Sequence, residues 1–286
     1  MLHYLLGVLP TRREAVPASN PSARSLLLTL LGEFVLPCPD PVWTQTIVVV
    51  LGRLGVEEKA ARQALARTAA DGWLRSQRVG RNARWSLTDS GRHLLTDGAE
   101  RIYAFAARQP DWDGTWFILN VSVPEARRAL RHRLRTQLSW AGFGSPEPGM
   151  WISPSVAHEA EARAIIGELG LDGQAMSFTA RFAGIGQERA MVERAWDLAA
   201  VAGQYEEFIA AFTGLRPPGP DEVLLAQARL VHEWRRFPFL DPQLPSPLLP
   251  AHWSGTRARS LFDARHGEWD QVARQRWSEL AARAAD

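Results

Sequence analysis

The sequence predicts an α+β protein in three parts. Residues 22–108 form a helical unit closed by a β-hairpin, residues 109–186 a βαββαβ unit, and residues 187–286 an all-helical unit, behind a flexible arm of residues 1–21. Three observations carry this prediction. The chain has 286 residues, and at roughly 100 to 200 residues per domain one small module is excluded. Hydrophobic residues at 46% and charged residues at 22% are ordinary globular usage, so each part can bury its own core. Apolar periodicity also changes along the chain, from helical to mixed near residue 109 and back to helical near residue 188.

The elements follow in order. Pro17-Ala18-Ser19-Asn20-Pro21 ends the arm. From Ala23 to Val35, Leu26, Leu27, Leu30, Leu31 and Phe34 recur at helical spacing until the prolines at 37, 39 and 41 stop the segment. Thr44 to Leu51 fits strand or helix on periodicity alone. Because Gly52 to Val56 leads straight into the helical run from Glu57 to Leu65, two short helices around a glycine-containing turn fit better. Arg75–Arg78 and Ala83–Leu87 flank turn residues 79–82 and read as a hairpin, followed by a helix from Asp89 to Ala107. In the second part, Thr115–Val123 reads as a strand, Pro124–Trp140 as a helix with proline at its first position, and Phe143–Ser145 as a short extended piece. Gly149–Ser153 is a strand, Ala157–Leu169 a helix and Gln174–Phe182 a closing strand, which is the ferredoxin-like order. Helices over 188–212, 222–236 and 257–283 make the third part, separated by proline-rich connections at 217–220 and 238–250.

Charge is unevenly spread. Residues 1–108 carry 14 basic against 9 acidic side chains, and residues 109–286 carry 19 against 22, so the positive character sits at the front. Of the 33 basic residues only Lys59 is a lysine, a bias that a GC-rich genome explains. Arginine's planar fork nonetheless suits phosphates and guanine edges. The single cysteine, Cys38, supports neither an intramolecular disulfide nor a cysteine-based zinc site, and points to a reducing cytoplasm. Leu2–Leu9 is too short to span a bilayer and lacks the flanks of a signal peptide, so no membrane partner is expected.

The first part has the components of a winged helix-turn-helix, which lays one short helix in the major groove of DNA while a basic hairpin reaches flanking phosphates. On the second short helix, Val56, Ala60, Ala61, Leu65 and Ala69 share a packing face, and Lys59, Arg62, Gln63 and Arg67 share the opposite one. Arg62 suits guanine and Gln63 adenine, while Lys59 and Arg67 are placed for phosphates. Arg78, Arg81 and Arg84 make the wing basic. A solvated helix face is the ordinary alternative for any one of these signals. Their order within one positive part is what points to double-stranded DNA.

Enzymatic chemistry finds little support. The seven histidines form no short-spaced pair and no HExxH, and Gly142-Phe143-Gly144 and Gly184-Ile185-Gly186 fit no phosphate or dinucleotide loop. No catalytic residue, metal ligand or cofactor is assigned. A metal-dependent nuclease would need a carboxylate at the end of the first strand of the middle part, where TWFILNVSV offers Asn120. A signalling scaffold that does not bind DNA is the other alternative.

Several separated motifs resemble one family, the PaaX-type repressors of bacterial phenylacetic acid degradation. They are Arg62-Gln63-Ala64-Leu65 and Asp71-Gly72-Trp73-Leu74; Trp112-Asp113-Gly114 with Trp116; Ser122-Val123-Pro124-Glu125; Gly142-Phe143-Gly144 with Trp151; and the long run from Leu230 to Trp253. The resemblance implies a winged-helix domain, a ferredoxin-like domain and a helical effector and dimerisation domain. It also implies a homodimer on operator DNA that is released by an acyl-CoA such as phenylacetyl-CoA. The chain departs from the pattern at Glu57, where Ser or Thr would cap the helix, so a shifted helix start is expected. Its N-terminal arm is also atypical.

An aryl-acyl-CoA needs arginines for its phosphates and aromatic walls for its acyl end. The best supply of both is the segment of Arg229, His232, Trp234, Arg235, Arg236 and Phe237, with Trp253 across the proline-rich turn, and Arg229, His232, Arg235, Arg236 and Trp253 are the candidate effector residues. The alternative is that Trp234, Phe237 and Trp253 are core and that Arg235 pairs with Asp241.

Overall fold

The computed structural model describes residues 21–38, 40–106 and 111–283. The N-terminal arm, apart from Pro21, and the boundary at Gln109–Pro110 lie outside the described residues. Among the described residues the structure is mixed α+β, with two antiparallel sheets and a helical C-terminal region. Contacts divide the chain into two units. The first holds the described residues up to Phe105 together with Phe208–Arg236 and the chain from Arg259 on, and the second holds Ala106–Glu207 and Phe237–Ala258. Helices beyond residue 187 therefore contribute to both units.

In the first unit, α1 (Ala23–Leu30) starts at Ser22, whose hydroxyl accepts from the Ser25 amide, and it runs on as a wider helical turn over Leu31–Val35. The short strand β1 (Val42–Trp43) precedes α2 (Thr44–Arg53) and α3 (Glu58–Ala70). The hairpin of β2 (Leu74–Val79) and β3 (Asn82–Leu87) comes next, and then α4 (Asp89–Ala104), capped by the Thr88 hydroxyl. β1 pairs with β3, so the sheet order is β1-β3-β2. Sequence periodicity cannot register a two-residue strand; it exists because Val42 and Trp43 lie opposite Trp85 and Arg84. Leu27, Leu30, Ile47, Leu51 and Leu65 lie in one core, all 1% exposed or less.

In the second unit, β4 (Thr115–Val121), α5 (Arg128–Trp140), β5 (Gly144–Glu147), β6 (Met150–Ser153), α6 (Glu159–Glu168) and β7 (Ala175–Arg181) give the order β5-β6-β4-β7, all antiparallel, as a ferredoxin-like sheet requires. Phe117, Leu119 and Val121 of β4 form a core with Leu134 and Leu138 of α5 and Ile166 of α6.

Two of the expected helices differ most from those found. α5 begins at Arg128 instead of Pro124, because the Ser122 amide still bonds to Gln174 and residues 124–127 close a turn through the Arg127 amide and the Pro124 carbonyl. The helix expected over 188–212 is broken into α7 (Glu188–Ala195) and α8 (Leu198–Thr213). Trp196 is extended at φ −132° and ψ 139°, its buried indole stacks on Trp116 and donates to the Gly142 carbonyl, and Asp197 caps the Ala200 amide. The indole lies so near Gly144 that a Cβ there would meet it at 2.4 Å, so only glycine fits. The remaining helices are α9 (Pro220–Trp234), the short α10 (Phe237–Leu240), which the proline-rich sequence did not announce, and α11 (Ser254–Arg283). Among the described residues, no helix is long and apolar enough to cross a membrane.

Candidate functional site

The turn from α2 into α3 places the first candidate surface. Gly55 sits at φ +92°, a conformation open to glycine, and the Val56 amide bonds back to the Leu51 carbonyl. Glu57 is the N-cap residue, and its side chain makes no capping hydrogen bond. The helix accordingly starts at Glu58 with its first amides uncapped by a side chain.

Packing fixes which side of α3 looks outward. Ala61, Ala64, Leu65 and Thr68 are buried, and the Thr68 hydroxyl donates to the Ala64 carbonyl at 2.8 Å. Ala64 and Thr68 belong to this face beside Ala61 and Leu65, whereas Ala60 and Ala69 are half-buried at its margins. Two alanines at 0% exposure let α3 approach its neighbours closely. The opposite stripe, Lys59, Arg62, Gln63 and Arg67, is exposed. Arg62 pairs with Glu58 at 2.8 Å and Arg67 donates weakly to the Gln63 carbonyl at 3.4 Å. An exposed pair one helical turn apart is screened by water and readily exchanged for another anion.

The hairpin is tied to the start of α2. The Thr44 hydroxyl donates to the Ala83 carbonyl and accepts from the Trp85 indole, each at 2.9 Å. Arg78 and Arg81 are exposed near the tip, where Gly80 takes φ +58°. Arg84 is half-buried: its Nε donates to Gln77 at 2.9 Å and its guanidinium lies 5.9 Å from the centre of the Trp43 ring. Arg75, on the same strand as Arg78, is also exposed and adds a fourth arginine to the hairpin that the sequence pattern does not single out.

The second candidate set has a different setting. Arg229 is exposed on α9. His232 is held at 3.0 Å from the Thr29 hydroxyl, and burial together with the positive charges of Arg235 and Arg236 pushes its pKa down to about 3, so it is neutral near pH 7. Arg235 donates to the Ser25 carbonyl at 2.9 Å and the Thr29 hydroxyl at 3.0 Å, and burial pulls its pKa down to about 10, which leaves it charged. Arg236 pairs with Glu233 at 3.2 Å. These four residues belong to the first unit and Trp253 to the second, where it packs edge-on to Tyr205. Trp234 is fully buried, stacked on Phe262, and its indole donates to the Ile102 carbonyl. Phe237 and Trp253 are buried as well, and Asp241 accepts from the Tyr205 hydroxyl at 2.7 Å.

One further polar cluster lies inside the first unit. The Glu33 carboxylate, in the wider turn after α1, accepts from Tyr103 and from Gln227 at 2.8 Å, and lies 3.0 Å from the His266 ring. Burial raises its pKa, but these contacts outweigh burial and hold it below the usual carboxylate range. Glu33, His266 and Asp270 bring three potential ligand atoms within 4.8 Å of one another. Arg274 already takes that ground, donating to Asp270 at 2.7 Å and to the Glu33 carbonyl at 3.0 Å. A guanidinium among the carboxylates supplies the positive charge that a cation would, so the cluster reads as an internal brace of α1, α4, α9 and α11.

Comparison with known proteins bears on all of these surfaces. The PaaX-like protein family matches residues 22–91, the PaaX protein central Cas2-like domain residues 109–192, and the PaaX-like protein C-terminal domain residues 196–279. The transcriptional repressor PaaX of Escherichia coli is 34% identical over 260 residues, which cover 87% of this chain and 81% of that protein. Among solved structures, an uncharacterised protein from Mycobacterium tuberculosis superposes with a TM-score of 0.59 at 20% identity, covering 92% of this chain and 99% of the other, which is a likeness of fold.

Proposed function

Because the chain belongs to the PaaX family, we propose that it is a transcriptional repressor which binds operator DNA through a winged helix-turn-helix formed by α2, α3 and the β2–β3 hairpin. The observation that carries this reading is the outward stripe of α3, with Lys59, Arg62, Gln63 and Arg67 held in solvent by a buried small-residue face. In this reading Arg62 and Gln63 contact base edges, and Lys59 and Arg67 contact phosphates. Arg78, Arg81 and Arg84 take the flanking phosphates. A single winged helix makes a small footprint, so the repressor acts as a homodimer on a two-fold site with half-sites about 10 base pairs apart or a multiple of that.

The regulated genes, on the same reading, serve aromatic-acid catabolism of the phenylacetate type, and an aryl-acyl-CoA such as phenylacetyl-CoA releases the operator. Exposed Arg229 and the half-buried Arg236 are the proposed phosphate partners of that effector, and His232 and Arg235 support them from within the packing of the first unit. The protein works in the cytoplasm, where both the operator and the acyl-CoA are found. Footprinting on the promoter beside its own gene tests the reading. A two-fold protected site that phenylacetyl-CoA abolishes is expected; no protection at any promoter of the operon would overturn repression, and protection indifferent to the acyl-CoA would overturn the effector.

A further inference from the structure

The second unit carries a concentration of positive charge that the proposed DNA surface does not use. Five of the 19 basic residues in 109–286 fall within residues 127–135, Arg127, Arg128, Arg131, Arg133 and Arg135, together with His132. No acidic residue occurs between Glu125 and Glu147, although this half of the chain is net negative. Local charge thus runs against the charge of its surroundings.

Packing gives these side chains one way to point. Leu134 and Leu138 of α5 are buried in the core over the sheet and Leu130 packs against it, so the arginines around them are all exposed. Arg131 donates to the Glu125 carbonyl at 2.8 Å, and Arg133 pairs with Glu168 at 3.3 Å. The side chains of Arg127, Arg128 and Arg135 have no hydrogen-bond or ion-pair partner among the described residues. Their placement is electrostatically poor for the protein alone. Arg127 is the N-cap of α5 and Arg128 its first residue, and the first turn contains no acid, so like charge meets the positive end of the helix dipole.

We propose that the outer face of α5 is a second, sequence-independent docking surface for the phosphate backbone of duplex DNA, an extension that rests on the DNA-binding reading above. Charge complementarity chooses this occupant. Residues 128, 131 and 135 follow one side of the helix, and from residue 127 to 135 the axis rises about 12 Å, a length over which duplex DNA offers several phosphates. The face is a convex helix surface, unlike the concave sites that enclose small phosphorylated ligands. Arginine contacts of this kind add affinity without reading bases.

The test uses the full-length protein and a random-sequence duplex of about 40 base pairs, with binding followed by fluorescence anisotropy from 50 to 200 mM salt. Each lost phosphate contact lowers the salt slope by roughly 0.9. The triple variant Arg127→Gln, Arg128→Gln, Arg135→Gln is expected to lower the slope by about 2 to 3 and, near 0.1 M salt, to weaken binding on the order of a hundredfold. The matching triple lysine variant should keep the slope. A control that removes as much charge from arginines paired with glutamates in the same unit, Arg163→Gln, Arg189→Gln, Arg257→Gln, should leave it unchanged. A wild-type slope in the α5 glutamine variant overturns this proposal and leaves the DNA-binding reading standing. A wild-type protein that binds no duplex overturns both. Equal loss in the control variant reduces the effect to net charge and overturns the α5 surface. A wild-type slope accompanied by lost binding of coenzyme A assigns the face to a small phosphate ligand instead.

Discussion

The outward stripe of α3 and the C-terminal end of α9 look alike as sequence, each placing arginines with a polar or aromatic neighbour on a short helix, but their surroundings differ. On α3, Lys59, Arg62, Gln63 and Arg67 are exposed, and among the described residues Arg62 pairs with Glu58 alone, on its own helix. On α9, His232 and Arg235 are spent on α1, and Trp234 is sealed between Phe262 and Phe208. Arginine content alone therefore does not separate the two: a guanidinium with internal hydrogen bonds is already occupied, and one on an exposed helix face is open to an outside anion. Substitutions at the end of α9 should act first on stability, and substitutions on α3 first on binding.

The largest expected effect tests the structural side. Trp234→Ala removes a fully buried indole and should destabilise the first unit by about 3–5 kcal/mol, seen as a lowered urea midpoint. A loss under about 1 kcal/mol would show that the end of α9 is loosely packed and open to a ligand after all.

Acid should expose the same difference. His232 is neutral in the fold with its pKa near 3, against about 6.5 in the unfolded chain, so its contribution is fully present above pH 6.5 and is lost as pH falls toward 3. At pH 4.5 the loss is about 2 to 3 kcal/mol relative to pH 7. Asp241, whose carboxyl burial holds up, pulls in the opposite direction, and Glu33, held below the usual range, begins to lose stability only at lower pH. Comparing wild type with His232→Gln cancels both, and a flatter stability curve between pH 7 and 4.5 in the variant is expected. Parallel curves would remove His232 from the account.

Much of the fold was legible because it is written in local periodicity. The leucines of α1, the break at Gly52–Val56, the hairpin around Gly80-Arg81 and the ferredoxin-like strand order all emerge from spacing and turn residues. What escaped depends on distant partners. β1 exists through Trp85 and Arg84, the break at Trp196 through the stack on Trp116, and the start of α5 through the pull of Gln174 on Ser122. The candidate sites divide in the same way. Outward residues of α3 follow from helical phase alone, whereas the burial of His232 and Arg235 depends on Thr29 and Ser25, about 200 positions earlier in the chain.

On the binding side, Arg62→Ala and Gln63→Ala should each cost about 1 to 3 kcal/mol of discrimination between operator and random duplex. Stability should change by less than about 0.5 kcal/mol, since both side chains are exposed. Retained preference in both variants would move base reading off α3, and a large stability loss would make α3 resemble α9.

The smallest effect is expected at the tip of the hairpin, and it separates positioning from reading. Arg81 is exposed beside Gly80, whereas Arg84 is partly occupied by Gln77 and Trp43. A phosphate contact carries no base information, so Arg81→Ala should weaken operator and random duplex by the same factor and lower the salt slope by about 1. Arg84→Ala should do the same to a lesser degree, because its guanidinium must leave the Gln77 hydrogen bond before it can serve a phosphate. Titrations of both duplexes at several salt concentrations decide the matter. Relaxed preference at one defined base pair in the Arg81 variant would place the tip in a groove, and the hairpin would then share the reading of sequence with α3.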